Sequence, residues 1–272
     1  MARADEARVS VPAWRLRDGD LTQAEATVIV EEPLEICVDG ARYAVVMRTP
    51  GDDVSLAAGF CLGEGLVDEA HEIGGIVVRE AEDPNRVMVT RAGARASEGS
   101  PARAAGIMVA SSCRVCGREM VEDIVQRVPE ITREALLSAK DLLTLGQRMQ
   151  EGQRHFRPTG GTHAAALFDR YGERLAFGED VGRHNALDKA IGQLLVSDRL
   201  GEACVAVLSG RCSFEMVQKA ARAGIPVVAS VSAPTHLAIE LAKRLGMALV
   251  GFLRGKTFTV YAHGGRLEGI PE

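Results

Sequence analysis

The sequence predicts an α/β fold: a C-terminal mixed sheet with helices on both faces, preceded by a smaller α+β subdomain. Three observations predict it. Beyond residue 159, short apolar runs alternate with longer stretches at helical spacing, the pattern of strands joined through helices. Two of those runs, VAVL at 205–208 and PVVASV at 226–231, are almost continuously apolar, as strands buried on both sides are. Before residue 92 the apolar runs sit close together, with one helical stretch among them.

The elements follow in order. Residues 1–20 are polar and charged and read as a flexible N-terminus. ATVIVEE, LEICVDG and RYAVVMRT, from residue 26 to 49, read as strands, with Pro33 and Asp39-Gly40 as turns; Asp-Gly between two such runs is a hairpin signal. Asp52 to Glu64 places Val54, Leu56, Ala57, Phe60 and Cys61 at helical spacing. Gly75–Arg79 and Arg86–Thr90 fit two more strands. AGARASEGSPARAAG, at 92–106, has linker composition. REMVEDIVQRV, at 118–128, reads as an amphipathic helix ended by Pro129, and Ser138-Ala-Lys-Asp141 opens another helix with a capping box. Strands are then expected at 162–169, 174–180, 204–210, 226–232, 247–253 and 258–262, with helices at 185–196, 213–224 and 234–246. The implied boundaries are a flexible N-terminus over 1–20, an N-terminal α+β subdomain over 21–106, a mobile CxxC loop and helix over 107–128, and a ligand-binding α/β domain over 129–265.

Composition narrows the function. The 272 residues carry a net charge of −5 and an isoelectric point near 5.8, which argues against non-specific polyanion binding. Aromatic residues are 4%, too few for stacking platforms on single-stranded nucleic acid. No run approaches the ~18 apolar residues of a membrane helix, and MARADEARVSVPAW lacks the apolar core of a signal peptide. A cytoplasmic protein is expected, with no nucleic-acid or membrane partner. Four of the six cysteines, Cys37, Cys61, Cys204 and Cys212, lie in apolar contexts and read as small core residues.

The other two form Cys113-Arg-Val-Cys116-Gly117, directly before a helical stretch. Helix-terminal N–H groups, with Arg114 and Arg118, favour a thiolate and hence a reactive dithiol. A zinc knuckle, a thioredoxin-like redox pair and two idle cysteines stay open. Zinc would need about four ligands, and a single knuckle supplies two. No resident metal is expected.

A second group lies at three strand-to-helix turns: GEDVGRHNALDK (178–189), Ser209-Gly-Arg-Cys-Ser213 and Val231-Ser-Ala-Pro-Thr235. Such turns line up at the carboxyl ends of strands, where α/β sheets bind ligands. Helix-start N–H groups favour phosphate there. Arg183, Arg211 and Lys256 can neutralise it, and His184 and Asn185 can read a base or sugar. Ser213, Asn185 and Thr235 can equally be plain helix caps. Phe252-Leu253-Arg254-Gly255-Lys256-Thr257, between the last two strands, suits a phosphate contact or a solvated hairpin alike. Thr159-Gly-Gly-Thr-His163 reads as a glycine turn carrying a structural histidine. A nucleoside deaminase is excluded, because His163-Ala164-Ala165 has Ala where H-x-E chemistry needs its general acid/base; a deaminase-like sheet order without that chemistry is compatible with the element order.

These motifs resemble FdhD, the formate dehydrogenase accessory sulfurtransferase (sulfur carrier) family. The likeness rests on Cys113-Arg-Val-Cys116-Gly117, Phe156-Arg-Pro-Thr-Gly-Gly-Thr-His163-Ala164-Ala165 and GEDVGRHNALDK. Ser209-Gly-Arg211, Ala233-Pro-Thr235 and Gly251-Phe-Leu-Arg-Gly-Lys256 support it. It implies a cytoplasmic, homodimeric sulfur carrier with a cytidine-deaminase-like three-layer α/β/α C-terminal part. Such a carrier takes sulfur from a cysteine desulfurase as a persulfide and passes it to bis-molybdopterin guanine dinucleotide, the molybdenum cofactor of formate dehydrogenase. Cys113 would be the carrier, with Cys116 assisting. Phe252, Leu253, Arg254, Gly255, Lys256 and Thr257 would bind the cofactor, joined by Arg183, His184, Asn185, Ser209 and Arg211 from the turns, and GDP or GMP would mimic it. Arg114 stands where many members have Gly, which stiffens the loop and leaves both sulfurs. The competing reading is a guanine-nucleotide or cofactor-binding chaperone whose cysteines are structural.

Overall fold

A computed structural model describes residues 7–79, 83–93, 107–108, 128, 130–133 and 137–271. Cys113, Cys116, most of the expected linker and almost all of the expected helix at 118–128 lie outside the described residues. The N-terminal part contains β1 (Arg8–Arg17), β2 (Asp20–Ile29), β3 (Glu32–Val38), β4 (Ala41–Arg48), α1 (Asp53–Glu64), β5 (Ile73–Arg79), β6 (Asp83–Arg91) and β7 (Ile107–Met108). The C-terminal part contains β8 (Leu137–Ser138), α2 (Ala139–Gly152), the single turn α3 (Phe156–Thr159), β9 (His163–Phe168), β10 (Arg174–Asp180), α4 (Arg183–Val196), β11 (Val205–Leu208), α5 (Phe214–Arg222), β12 (Val227–Ser230), α6 (His236–Leu245), β13 (Ala248–Arg254), β14 (Thr257–Ala262) and β15 (Leu267–Glu268). The expected mixed α/β architecture, with one sheet-and-helix unit ahead of another, is therefore present.

The first sheet runs β5-β6-β3-β4-β7 and the second β10-β9-β11-β12-β13-β14. In the second, β11, β12 and β13 are parallel, while β9 pairs antiparallel with both β10 and β11. The carboxyl ends of β10, β11, β12 and β13 therefore share one edge of the sheet with the start of β9. Period-2 alternation sorts its side chains. Ala165, Leu167, Ala206, Leu208, Val228 and Leu249 face α4, α5 and α6. Ala164, Ala166, Phe168, Val205, Val207 and Val227 face Leu142, Leu145 and Met149 of α2. Ser138 caps α2 by accepting from Asp141 N at 3.1 Å, as expected.

The two units share a core. Leu34, Ile36, Val87 and Val89 of the first sheet belong to the same buried cluster as α1, α4, α5 and α6. Its centre is the crossing of α1 and α4, where backbones touch at glycine. A Cβ on Gly192 would lie 1.8 Å from the Ser55 carbonyl oxygen, and one on Gly59 would lie 2.0 Å from that of Asp188. Among the described residues no helix is long and apolar enough to cross a membrane.

One expectation is corrected. Residues 8–17 are not frayed; they pair with 20–29 in a ten-residue antiparallel ribbon, from Arg8↔Ile29 to Arg17↔Asp20, so a boundary at residue 21 would cut a hairpin. The turn is Asp18-Gly19, both at positive φ, the Asp-Gly signature of a two-residue hairpin. The ribbon leaves Trp14 68% and Leu16 69% exposed, so its sequence lacks the one-sided apolar face that marks a core strand.

Candidate functional site

The shared sheet edge collects the expected turn residues. At the end of β10, the buried Asp180 carboxylate accepts from Thr49 N (3.0 Å), Gly182 N (2.9 Å) and Asn185 Nδ2 (2.9 Å). Lys189 Nζ lies 2.8 Å from the same carboxylate and donates to Thr49 O at 2.8 Å. Asn185 also donates to Met47 O at 2.7 Å. Its amide is committed inside the protein, and it lies within the first turn of α4 rather than capping it. This knot fixes where α4 starts, and so where Arg183 and His184 project.

The next turn, Ser209–Ser213, lies beside them. Ser209 Oγ accepts from Ala164 N at 2.8 Å, and Arg211 is exposed. A Cβ on Gly210 would lie 3.0 Å from His163 Nδ1 and 3.9 Å from Arg183 Cβ, so three segments converge there. Burial holds the His163 imidazole below the usual histidine range, and Arg183, His184 and Arg211 reinforce this. His184 Nε2 lies 2.7 Å from Glu215 Oε2, a distance of an ion pair without the alignment of a hydrogen bond. That imidazole holds the Glu215 carboxyl below its ordinary range, against burial. Arg183 Nε and Ser213 Oγ are buried with no hydrogen-bond partner, a cost of about 1–3 kcal/mol for each group left unmade. The N-termini of α4 and α5 open at the same place, with first-turn N–H groups that no helical carbonyl takes. Two dipole ends, two arginines and two orphaned polar groups suit an anion such as phosphate.

The Phe252–Thr257 segment joins β13 to β14, two strands and about 10 Å along the edge from the Ser209–Ser213 turn. It is tied to the Val231–Pro234 turn: Arg254 Nε donates to Val231 O at 2.6 Å and Phe252 N to Ser232 O at 3.1 Å. Phe252 has a φ of 54° and is 40% exposed, with the Arg254 guanidinium 5.8 Å from its ring centre. Leu253 is buried. Gly255 turns the hairpin at φ 55°, Lys256 is exposed, and Thr257 Oγ1 donates to Arg254 O at 3.3 Å. The segment offers two cations and an aromatic face, and Leu253 anchors it.

A family model described as FdhD/NarQ matches residues 29–268. The chain belongs to the FdhD/NarQ family. It is 41% identical over 271 residues to the sulfur carrier protein FdhD of Streptomyces avermitilis, covering 96% of this chain and 95% of that one. The corresponding Streptomyces coelicolor protein is 42% identical over 278 residues, covering 98% and 97%. That of Saccharolobus solfataricus is 38% identical over 259 residues, covering 93% and 95%. A crystal structure from Desulfotalea psychrophila, described as a candidate formate dehydrogenase accessory protein, superposes with a TM-score of 0.78. Identity to it is 24%, with 96% of this chain and 99% of that chain covered; at that identity the likeness speaks for the fold.

For this FdhD/NarQ member, the edge also holds residues that sequence reasoning left out. Glu215 carried no signal beyond being polar, and Thr49 none at all. Asp180 and Lys189 lay inside the GEDVGRHNALDK string without an assigned role. Cys37, Cys61, Cys204 and Cys212 are free and buried; burial pushes the Cys37 thiol to about 11 and those of Cys61 and Cys212 to about 12. Among the described residues, no three His, Cys, Asp or Glu side chains group to hold a metal. A cavity of about 770 Å³ lies elsewhere, beside Arg154, His155, Arg174 and Phe177. It contains none of the expected binding residues, though Thr49 and Lys189 form part of its wall.

Proposed function

We propose that this protein is a sulfur carrier in formate dehydrogenase maturation. It takes sulfur from a cysteine desulfurase as a persulfide on Cys113 and delivers it to bis-molybdopterin guanine dinucleotide seated at the carboxyl edge of the second sheet. The observation that carries the reading is the anion-ready edge, with buried Arg183 Nε and Ser213 Oγ lacking partners. The cofactor is the substrate here. Its phosphates suit the turn between α4 and α5, and its guanine suits the Phe252 face.

Chain geometry supports a carrier thiol at this edge. β7 runs parallel to β4, with Met108 opposite Val45, so the chain leaves β7 toward the Met47–Thr49 end that binds Asp180 and Asn185. Cys113 is five residues past Met108, a reach of up to about 17 Å; Val45 to Thr49 spans about 13 Å. The family assignment supports the activity, since the relatives above are sulfur carrier proteins by name.

In the loading step the Cys113 thiolate attacks the terminal sulfur of the desulfurase persulfide. The S–S bond breaks, the desulfurase cysteine leaves as thiolate, and Cys113–S–SH forms. Cys116 can then attack the inner sulfur, releasing hydrosulfide and forming a Cys113–Cys116 disulfide that a thiol reductant resets. Homodimerisation, a cytoplasmic setting, a CxxC loop and helix at 107–128 and a deaminase-like layering of residues 129–265 belong to the same proposal. The element order and the helices on both faces of the sheet are compatible with that layering.

The test is mass spectrometry after incubation with a desulfurase and cysteine. The CxxC peptide is expected to gain ~32 Da, one sulfur atom, and Cys113→Ala to lose the adduct and formate dehydrogenase maturation while staying folded. A folded Cys113→Ala protein that matures the enzyme fully refutes the role.

A further inference from the structure

We propose that Thr49, at the end of β4 in the N-terminal unit, is a positioning residue for the anion site of the C-terminal unit. The inference rests on the binding edge proposed above. Thr49 has three polar atoms engaged by the turn that opens α4 and by Lys189 within that helix. Its N–H donates to Asp180 Oδ2 at 3.0 Å, its hydroxyl oxygen accepts from Val181 N at 3.1 Å, and its carbonyl accepts from Lys189 Nζ at 2.8 Å. Asp180 closes the loop by accepting from Gly182 N at 2.9 Å.

The consequence is directional. Val181 N and Gly182 N, the two amides before α4, are consumed by Thr49 and Asp180. A helix cap needs an acceptor, and the Asp180 carboxylate is taken by Thr49 N, Gly182 N, Asn185 Nδ2 and Lys189 Nζ, while Gly182 at the N-cap has no side chain, so the first-turn amides of α4 keep no side-chain cap. The same bonds set the backbone from which Arg183 projects toward Gly210 and His163. Thr49 is 1% exposed, so at the anion edge it acts through the turn. Segments 131 residues apart thus meet at Thr49, beside the Asn185–Met47 contact, and the position of the binding cation depends on a residue of the other unit.

The experiment is a double-mutant cycle read by calorimetric binding of inorganic pyrophosphate and of GDP to the full chain. Thr49→Val keeps the shape and removes the acceptor for Val181 N. It is expected to weaken both probes about tenfold, the scale of one charge-assisted hydrogen bond misplaced. In an Arg183→Ala background it is expected to add less than about twofold, because the two residues act in series. Thr49→Ser, which keeps the hydroxyl, is expected to bind like the parent. Should Thr49→Val not fold, Thr49→Ala removes the same acceptor with less bulk and enters the same cycle. A folded Thr49→Val or Thr49→Ala protein with parental affinity overturns the proposal, as does a loss fully additive with Arg183→Ala, or a Thr49→Ser protein no better than Thr49→Val. A parent protein that binds neither probe refutes the binding edge itself.

Discussion

Removing the Lys219 ammonium should destabilise the protein far more than any surface charge would. Lys219 Nζ lies 2.9 Å from both Asp188 oxygens, the side chains being 8% and 2% exposed. The pair joins α5 to α4 beside the Phe60 ring, 5.6 Å away. At 2.9 Å the attraction is about 6 kcal/mol for an effective dielectric of 20, and the cost of burying two ions is of similar size. The intact pair therefore contributes little net. Breaking it leaves a buried carboxylate alone, at about 3–5 kcal/mol. Burial already pushes the Asp188 carboxyl up against the pull of Lys219, while at Lys219 burial, the largest single cause, is outweighed by Asp188, Glu64 and Glu215 together, which hold the ammonium above its ordinary range. Lys219→Met should lower Tm by about 6–20 °C, at roughly 2–4 °C per kcal/mol for a chain of this size. The pH dependence has a definite sign. With its cation gone, Asp188 has a folded pKa still further above the unfolded value near 4, so its contribution is full below about pH 4 and is lost as pH rises. The Tm deficit of Lys219→Met should therefore shrink on acidification, and Asp188→Leu should restore much of the loss as a second substitution. Calorimetry from pH 5 to 8 checks this. A loss below about 1 kcal/mol, or a deficit that grows with acid, would refute the reasoning.

Three further outcomes follow from the same structure. Gly192→Ala forces a Cβ to 1.8 Å from the Ser55 carbonyl, so α1 and α4 must separate; a loss of about 1–3 kcal/mol is expected in urea unfolding. His163 sits below the usual histidine range through burial and then Arg183, so its contribution to stability is present above about pH 6.5 and is lost as pH falls through that region. A bound anion raises that pKa, so sulfate, whose charge is constant there, should bind more tightly at pH 6 than at pH 8, and His163→Gln should flatten the slope. Iodoacetamide on the native protein near pH 7.5 should spare Cys37, Cys61, Cys204 and Cys212, all buried, and label them after unfolding; peptide mass mapping reads both.

The elements from β9 to β14 were legible in the sequence because β9, β11 and β12 are continuous buried runs, β10 and β14 alternate, and α5 and α6 each bury one face. Of the β1–β2 ribbon only the end of β2 was, within ATVIVEE; β1 was not, because it presents Trp14 and Leu16 to solvent. The turn motifs were legible as strand-to-helix turns that share one sheet edge. The division of labour inside GEDVGRHNALDK was not: Asp180, Asn185 and Lys189 face inward, and Arg183 and His184 reach the edge.

The chain by itself determined the family, the strand-and-helix order and the residue types available at the edge, since these depend on local periodicity and on motifs contiguous in sequence. Tertiary structure alone decided that Thr49 grips Asp180 from 131 residues away, that Gly210 brings His163 beside Arg183, and which polar atoms are left buried and unpaired. Those facts arise from segments distant along the chain meeting in space, where packing assigns each hydrogen bond one partner and leaves a few groups with none.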